Sequence, residues 1–506
     1  MSILPSHRAV VTRGGPCGLG VALALASALG LGGCGGPDYQ RPSLAVAPVY
    51  QESDTGTALP PGTWQPARPQ DALTKGAWWV IFQDAQLDAL ERQLDSGNQN
   101  IAEGYHNLMA ARAQVREMQS GYSPTLSVAP AISRSHVPST LGPAAGGDGR
   151  GETANSFSLP FDASWEPDLW GRVRNQVREY QAAAQVSAAD LENERLTAEA
   201  DLAVFYLELH GQDSLQALYD RTIIDDQRSL ELTQSLLTTG ISSEGDVAAA
   251  QVTLAEAEAA AAGVGTNRAV YEHAIATLIG RSASQFRIPP GSLDTPVPAI
   301  PVGVPSQLLE RRPDISAAER TMAQANALIQ VERTAYYPTL TLSGSAGLES
   351  SALSTLFSAP AEFWSLGASL SELLIDGGLR KATVDQYQAL FDADAAAYKQ
   401  AVLTAFQQVE DGLSTLRILS GQIHRQDAAV RASSRYLDLE QVRYQTGMDP
   451  YLSVISAQTS LLVTQESVVS LRVSELTAAV QLIQALGGGW DSSQLNGSGE
   501  PPRPRG

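Results

Sequence analysis

DLWGRVRNQVREYQAAAQVSAADLENERLTAEADLAVFYLELHGQDSLQALYDRTIIDDQRSLELTQSLL, residues Asp168–Leu237, holds no proline and only two glycines, Gly171 and Gly211. Ala, Leu, Glu, Gln and Arg dominate it, and all are strong helix formers. Leu191, Ala198, Leu202, Phe205 and Leu209 recur at helical spacing, so the stretch reads as one apolar stripe along a helix. At ~1.5 Å per residue, roughly 66 residues make a rod of about 100 Å. A helix this long belongs to a coiled coil, a helical repeat or a tubular assembly.

The same pattern returns later in the chain. Leu379–Tyr444 predicts a second rod, with Gly412 and Gly421 inside it. Each rod breaks at a short turn, Thr239-Gly240-Ile241 and Thr446-Gly447-Met448, and each is followed by a second helix, at Glu244–Ile279 and Tyr451–Ala485. Thr239-Gly240, Val247, Ala250-Gln251 and Leu254 match Thr446-Gly447, Val454, Ala457-Gln458 and Leu461 at one constant offset. An ordered series of matches marks an internal duplication.

Upstream of each rod the period changes to two. Leu126, Val128 and Ile132 alternate with polar or small neighbours, as do Phe157, Leu159, Phe161, Ala163 and Trp165. In the second half the alternation covers Leu340–Leu348 and Trp364–Leu370. Four strands are expected, at about 125–133, 156–166, 339–348 and 363–375. Pro160 sits inside the second, an unusual place for a proline. Helices at Asn98–Ser120 and Pro313–Ala335 precede the strand pairs, and a shorter helix follows Trp78-Trp79. Arg281–Arg312 is a proline-dense connector. The chain thus divides into a leader (1–33), an extended Pro- and Gly-rich arm (34–77), a first repeat (78–280), the connector (281–312), a second repeat (313–486) and a disordered tail (487–506). The expected fold is mainly α with a small membrane β part.

Composition narrows the function. The 506 residues carry a net charge of −20, which disfavours nucleic-acid backbones. The six histidines (7, 106, 136, 210, 273 and 424) show no metal-ligand spacing, and no phosphate-binding or nucleophile motif appears. Gly146–Gly151 is glycine-rich but lacks the strand-to-helix frame of a phosphate cradle. The reading is of a non-enzyme without metal or diffusible cofactor. Arg8 and Arg13 followed by apolar Leu19–Leu31 form a secretory leader. Its end, Leu31-Gly32-Gly33-Cys34, resembles the bacterial lipobox, which implies a diacylglycerol and an N-acyl chain such as palmitate on Cys34. Gly35 in place of Asp is permissive for the outer membrane. Loss of the leader takes the charge to −22 and leaves no helix long and apolar enough to span a bilayer. Any crossing is then by strands, and four strands are too few to close a barrel.

Trp165-Glu-Pro-Asp-Leu-Trp-Gly-Arg-Val-Arg174, Arg311-Arg-Pro-Asp-Ile315 with Ala318-Glu-Arg320, Tyr337-Pro-Thr-Leu-Thr-Leu342, Asp376-Gly-Gly-Leu-Arg380 and Tyr444-Gln-Thr-Gly447 look like the recurrent motifs of TolC-type outer-membrane efflux factors, in the lipoprotein branch serving RND-type multidrug pumps. The resemblance spans about residues 78–486. It implies a homotrimer whose twelve strands form an outer-membrane barrel and whose helices form a periplasmic tunnel. Its partners are a periplasmic adaptor and an inner-membrane RND-type pump. By the same resemblance, Thr239, Gly240, Ile241, Thr446, Gly447 and Met448 meet the adaptor, while Asp438, Glu440, Arg443 and Tyr444 form a periplasmic gate, with Asp225 and Asp226 as further acids near the first turn. Other readings of the layout are a conduit for type I protein secretion and a non-conducting coiled-coil lipoprotein.

Overall fold

The computed structural model describes residues 39, 50–53, 64–65, 77–138, 152–293, 295–301 and 311–490. The leader, Cys34 and the Gly146–Gly151 loop lie outside them.

Two helices come first, α1 (Ala85–Gly97) and α2 (Gln99–Gln119), after a 3-10 turn that buries Trp78, Trp79 and Phe82. Strands β1 (Thr125–Val128), β2 (Ala131–Val137) and β3 (Glu152–Trp165) follow. The first rod is α3 (Arg172–Thr238) and its return helix is α4 (Glu244–Leu278). The second half holds α5 (Pro313–Arg333), β4 (Thr339–Ser350), β5 (Glu362–Ser371), the second rod α6 (Leu379–Gln445) and its return α7 (Tyr451–Ala485). The duplication extends to length: 21 residues in α2 and α5, 67 in α3 and α6, 35 in α4 and α7. Pro313 opens α5, where its missing N–H costs nothing. No helix among the described residues is long and apolar enough to cross a membrane.

The four expected strands form one antiparallel sheet, with differences in extent, the third running two residues past 348 to Ser350. The first runs on to Val137 but is interrupted at Ala129-Pro130, because proline has no N–H for the ladder. Its two pieces, β1 and β2, keep a single register against β3. The second starts at Glu152, four residues before the expected 156. The fourth stops at Ser371 and not at 375. Ser371 pairs with Thr339, and the residue before Thr339 is Pro338, which offers no donor to extend the pairing. Pro160 lies opposite the unpaired break at Ala129-Pro130 on one side and opposite Gly347 on the other, where an added Cβ would lie 2.2 Å from Leu159 O.

Directly opposed residues share a face of the sheet. Val128, Phe161, Ala346 and Trp364 form one row across it, and the next is Leu126, Ala163, Gly344 and Leu366. The alternate rows are Ser127, Asp162, Ser345 and Ser365, and Thr125, Ser164, Ser343 and Gly367. One face is apolar and the other is polar. Trp364 is 78% exposed and Leu366 82%. The two outer strands, β1–β2 and β5, each have one edge unpaired among the described residues.

Each return helix is continued in space, though not in sequence, by a shorter one. Asn98 caps α2 by accepting from Asn100 N (2.9 Å) and Ile101 N (3.1 Å), and its Nδ2 donates to Leu278 O at the end of α4 (2.8 Å). In the second half Arg312, just before α5, donates to Ala485 O at the end of α7 (3.0 Å). The C-terminal carbonyls of one helix thus meet the N-terminus of the next, head to tail. The main core sits at this level, around Leu202, Leu207, Leu209, Ile275, Leu413 and Leu416.

α3 runs unbroken through Gly211. The glycine admits a neighbour: an added Cβ would lie 2.5 Å from Val473 Cγ2 of α7. The expected disordered tail does not begin at 487. Gly487 ends α7 at φ +89°, against Arg311 O, and Trp490 is buried. Residues 487–490 are therefore packed, and the rest of the tail lies outside the described residues.

Candidate functional site at the helix turns

The ends of the rods are fixed by local chemistry. At the sheet end, Asp168 caps α3 by accepting from Val173 N and Arg174 N (3.0 Å each). Asp376 does the same for α6, accepting from Gly378 N (2.9 Å) and Arg380 N (3.2 Å). These bonds, led by the Arg380 side chain, hold the Asp376 carboxyl down at about 2. Gly171 (φ +83°) and Gly378 (φ +95°) make the turn into each helix. Trp170 stacks on Tyr337 (5.1 Å) and donates to Pro338 O (2.7 Å), tying the first repeat to the second. The WEPDLWGR, YPTL and DGGLR motifs are therefore the joinery between sheet and helices.

At the far end both rods finish in the same left-handed glycine cap. Gly240 has φ +76° and Gly447 φ +73°. Ile241 N donates to Leu236 O and Gly240 N to Leu237 O (3.0 Å each). Met448 N donates to Arg443 O (2.8 Å) and Gly447 N to Tyr444 O (2.9 Å). This double bond set satisfies carbonyls that a helix end would otherwise leave open. Thr239 and Thr446 turn their hydroxyls back onto Leu236 O and Val442 O, both at 2.9 Å. Ile241 and Met448 stand exposed, and an added Cβ at Gly240 or Gly447 would touch nothing within 4 Å.

The two turns meet within the chain. Tyr444 is buried, packs on Tyr451 with ring centroids 5.1 Å apart, and donates to Ser242 Oγ (3.3 Å). Ser242 passes the connection to Asp246 Oδ2 (3.1 Å). Asp246 also completes a capping box with Ser243, and the Ser243 N–H leads the bonds that hold its carboxyl below the usual range. Of the four gate candidates, Tyr444 alone bridges to the first turn among the described contacts. Arg443 pairs with Asp449 inside its own turn, with Glu440 near by. Asp438 is exposed and lines a cavity between the hairpins together with Asp225 and Asp226. Sequence reasoning missed Asp449, Ser242 and Tyr451. The Ser-x-x-Asp spacing after Gly240 was the one signal that marked the capping box.

Residues 90–281 and 304–488, the two halves of the duplication, match the family described as outer membrane efflux protein. The chain belongs to that family. The probable efflux pump outer membrane protein SepC of Pseudomonas putida is 30% identical over 475 residues, which cover 93% of this chain and 97% of its own length. The outer membrane protein OprJ of Pseudomonas aeruginosa is 30% identical over 483 residues, 93% and 96% of the two chains. Among solved structures, the outer-membrane channel OprN superposes with a TM-score of 0.83 at 27% identity, covering 90% of this chain and 99% of that one. The open-state MtrE outer membrane channel of Neisseria gonorrhoeae gives 0.76 at 26%, covering 90% and 98%. This efflux protein is the outer-membrane channel component of an efflux system, with the mainly helical, small-sheet fold of TolC-type channels.

Proposed function

We propose that three copies close their sheets into a twelve-stranded outer-membrane barrel and gather their helices into a periplasmic tunnel. A periplasmic adaptor and an inner-membrane RND-type pump then feed drugs and other small toxic compounds into it. The supporting observation is the two-faced sheet with an unpaired edge on each side. In lipid such edges need partners, and copies of the same sheet supply them. The apolar rows face lipid and the serine-rich rows face the channel. Relatives named as toluene, solvent and antibiotic efflux proteins support the cargo class. Cys34, acylated, anchors the arm in the outer membrane. The turns carrying Thr239, Gly240, Ile241, Thr446, Gly447 and Met448 take the adaptor, since their caps leave open space and exposed apolar side chains. Asp438, Glu440, Arg443 and Tyr444 set the aperture beside them.

Planar-bilayer recording on the purified protein tests the conduit. Stepwise conductance is expected, and a protein that inserts but passes no current defeats the reading. For the turns, Gly240→Trp and Gly447→Trp are expected to lower drug export from cells without lowering the amount of assembled protein. Full export in both variants removes the adaptor assignment.

A further inference from the structure

Between the two hairpins, just before the turns, α3, α6 and α7 line a half-open cavity of 520 Å³. Asp226 of α3 lines it and is 3% exposed, yet its Oδ2 has no hydrogen-bond partner. A buried carboxylate oxygen left without a donor is costly for a fold to hold. The neighbouring hydroxyls are engaged elsewhere. That of Tyr444 goes to Ser242, and that of Tyr451 is shared with Thr233 and Ser229. Arg228 lies beside Asp225 on the exposed side, 3.4 Å away, and Arg221 is also exposed. The lining therefore combines Asp226, buried with one oxygen unpaired, the exposed carboxylates Asp225 and Asp438, the exposed Arg221 and Arg228, and the paired rings of Tyr444 and Tyr451.

We propose that this cavity binds a small organic cation of the diamine or polyamine class, one ammonium group on Asp226 and the second toward Asp438, with the tyrosine rings against its methylene chain. Three features select that chemistry. The described residues hold no group of three His, Cys, Asp or Glu side chains placed around a metal ion, which disfavours a bare divalent cation. Carboxylate plus aromatic faces is the surrounding that ammonium groups favour. The carboxylates sit on two different rods, so a two-headed cation joins α3 to α6 where a one-headed ion does not. Burial, reinforced by Asp225, pushes Asp226 up to about 6, so the site holds its full charge only above that pH.

Isothermal titration of the purified full-length protein with 1,5-diaminopentane at pH 7.5 tests this without any transport readout, so it stands or falls apart from the channel reading. Saturable binding is expected, weakened about tenfold or more by Asp226→Asn. Roughly threefold weakening is expected for Asp438→Asn, an exposed substitution that leaves folding intact. Affinity should also fall as the pH drops below about 6. No saturable binding, equal binding of magnesium at matched ionic strength, or unchanged affinity in both variants overturns the proposal.

Discussion

Glu91, on α1, shows what a single side chain can do to the whole molecule's pH response. It is 0% exposed, and neither carboxylate oxygen has a hydrogen-bond partner. Burial, followed by the negative charges of Glu199, Asp95 and Asp88, drives its pKa well above the ordinary value. A carboxyl raised on folding contributes stability that is fully present below its unfolded pKa. That contribution is lost as the pH climbs through the folded value. Glu91→Gln, which cannot ionise, is expected to remove this part of the loss. Melting temperatures of the two proteins should lie close near pH 4 and separate in favour of the variant toward pH 8. A constant difference across that range would refute the assignment. Nothing in the sequence distinguishes Glu91 from the solvated acids around it, because its burial is made by α3, more than a hundred residues away. Gly240 and Gly447, by contrast, were legible, since a glycine after a helical stripe is a local signal. Tyr444 was legible only as a neighbour of the turn. Its partner Ser242 belongs to the other hairpin.

Among the elements, the contact of α3 with α7 depends on Gly211. Glycine inside a helix costs about 1 kcal/mol relative to alanine. Here that is offset by the close approach of Val473, 2.5 Å from where a Cβ would sit. Gly211→Ala is therefore expected to destabilise by roughly 1–3 kcal/mol through overpacking, despite the better helix former. Val473→Ala in the same chain should recover most of the loss, as a double-mutant cycle in urea will read. If the single variant is more stable than the parent, Gly211 has no packing role. The rods themselves were plain in the sequence, because 67 residues of unbroken helical period admit no other reading. The end-to-end joints were not. Asn98 meets Leu278 and Arg312 meets Ala485 across more than 170 residues of chain. Periodicity says nothing of what a helix end touches.

For the whole molecule, the sheet decides where the protein sits. The alternation that located the strands also assigned their faces, since a period of two puts Leu366 and Ser365 on opposite sides. Leu366→Lys places a charge on the apolar face and is expected to cost about 2–4 kcal/mol if the position lies near the bilayer midplane. Ser365→Lys, on the polar face, should fold into vesicles as the parent does. Equal folding yields for the two variants would contradict the facing. The joints between helices have a consequence at this scale too. Both lie 35 residues along the return helices from the turns, about 50 Å at helical rise. At that one height, two of the four lanes in each chain are interrupted covalently and only α3 and α6 carry through. Load applied at the turns crosses this level on those two rods. In the other two lanes the abutting helix ends are held by side-chain bonds alone, Asn98 to Leu278 O and Arg312 to Ala485 O, so each chain's wall is covalently continuous at this level only through its two rods.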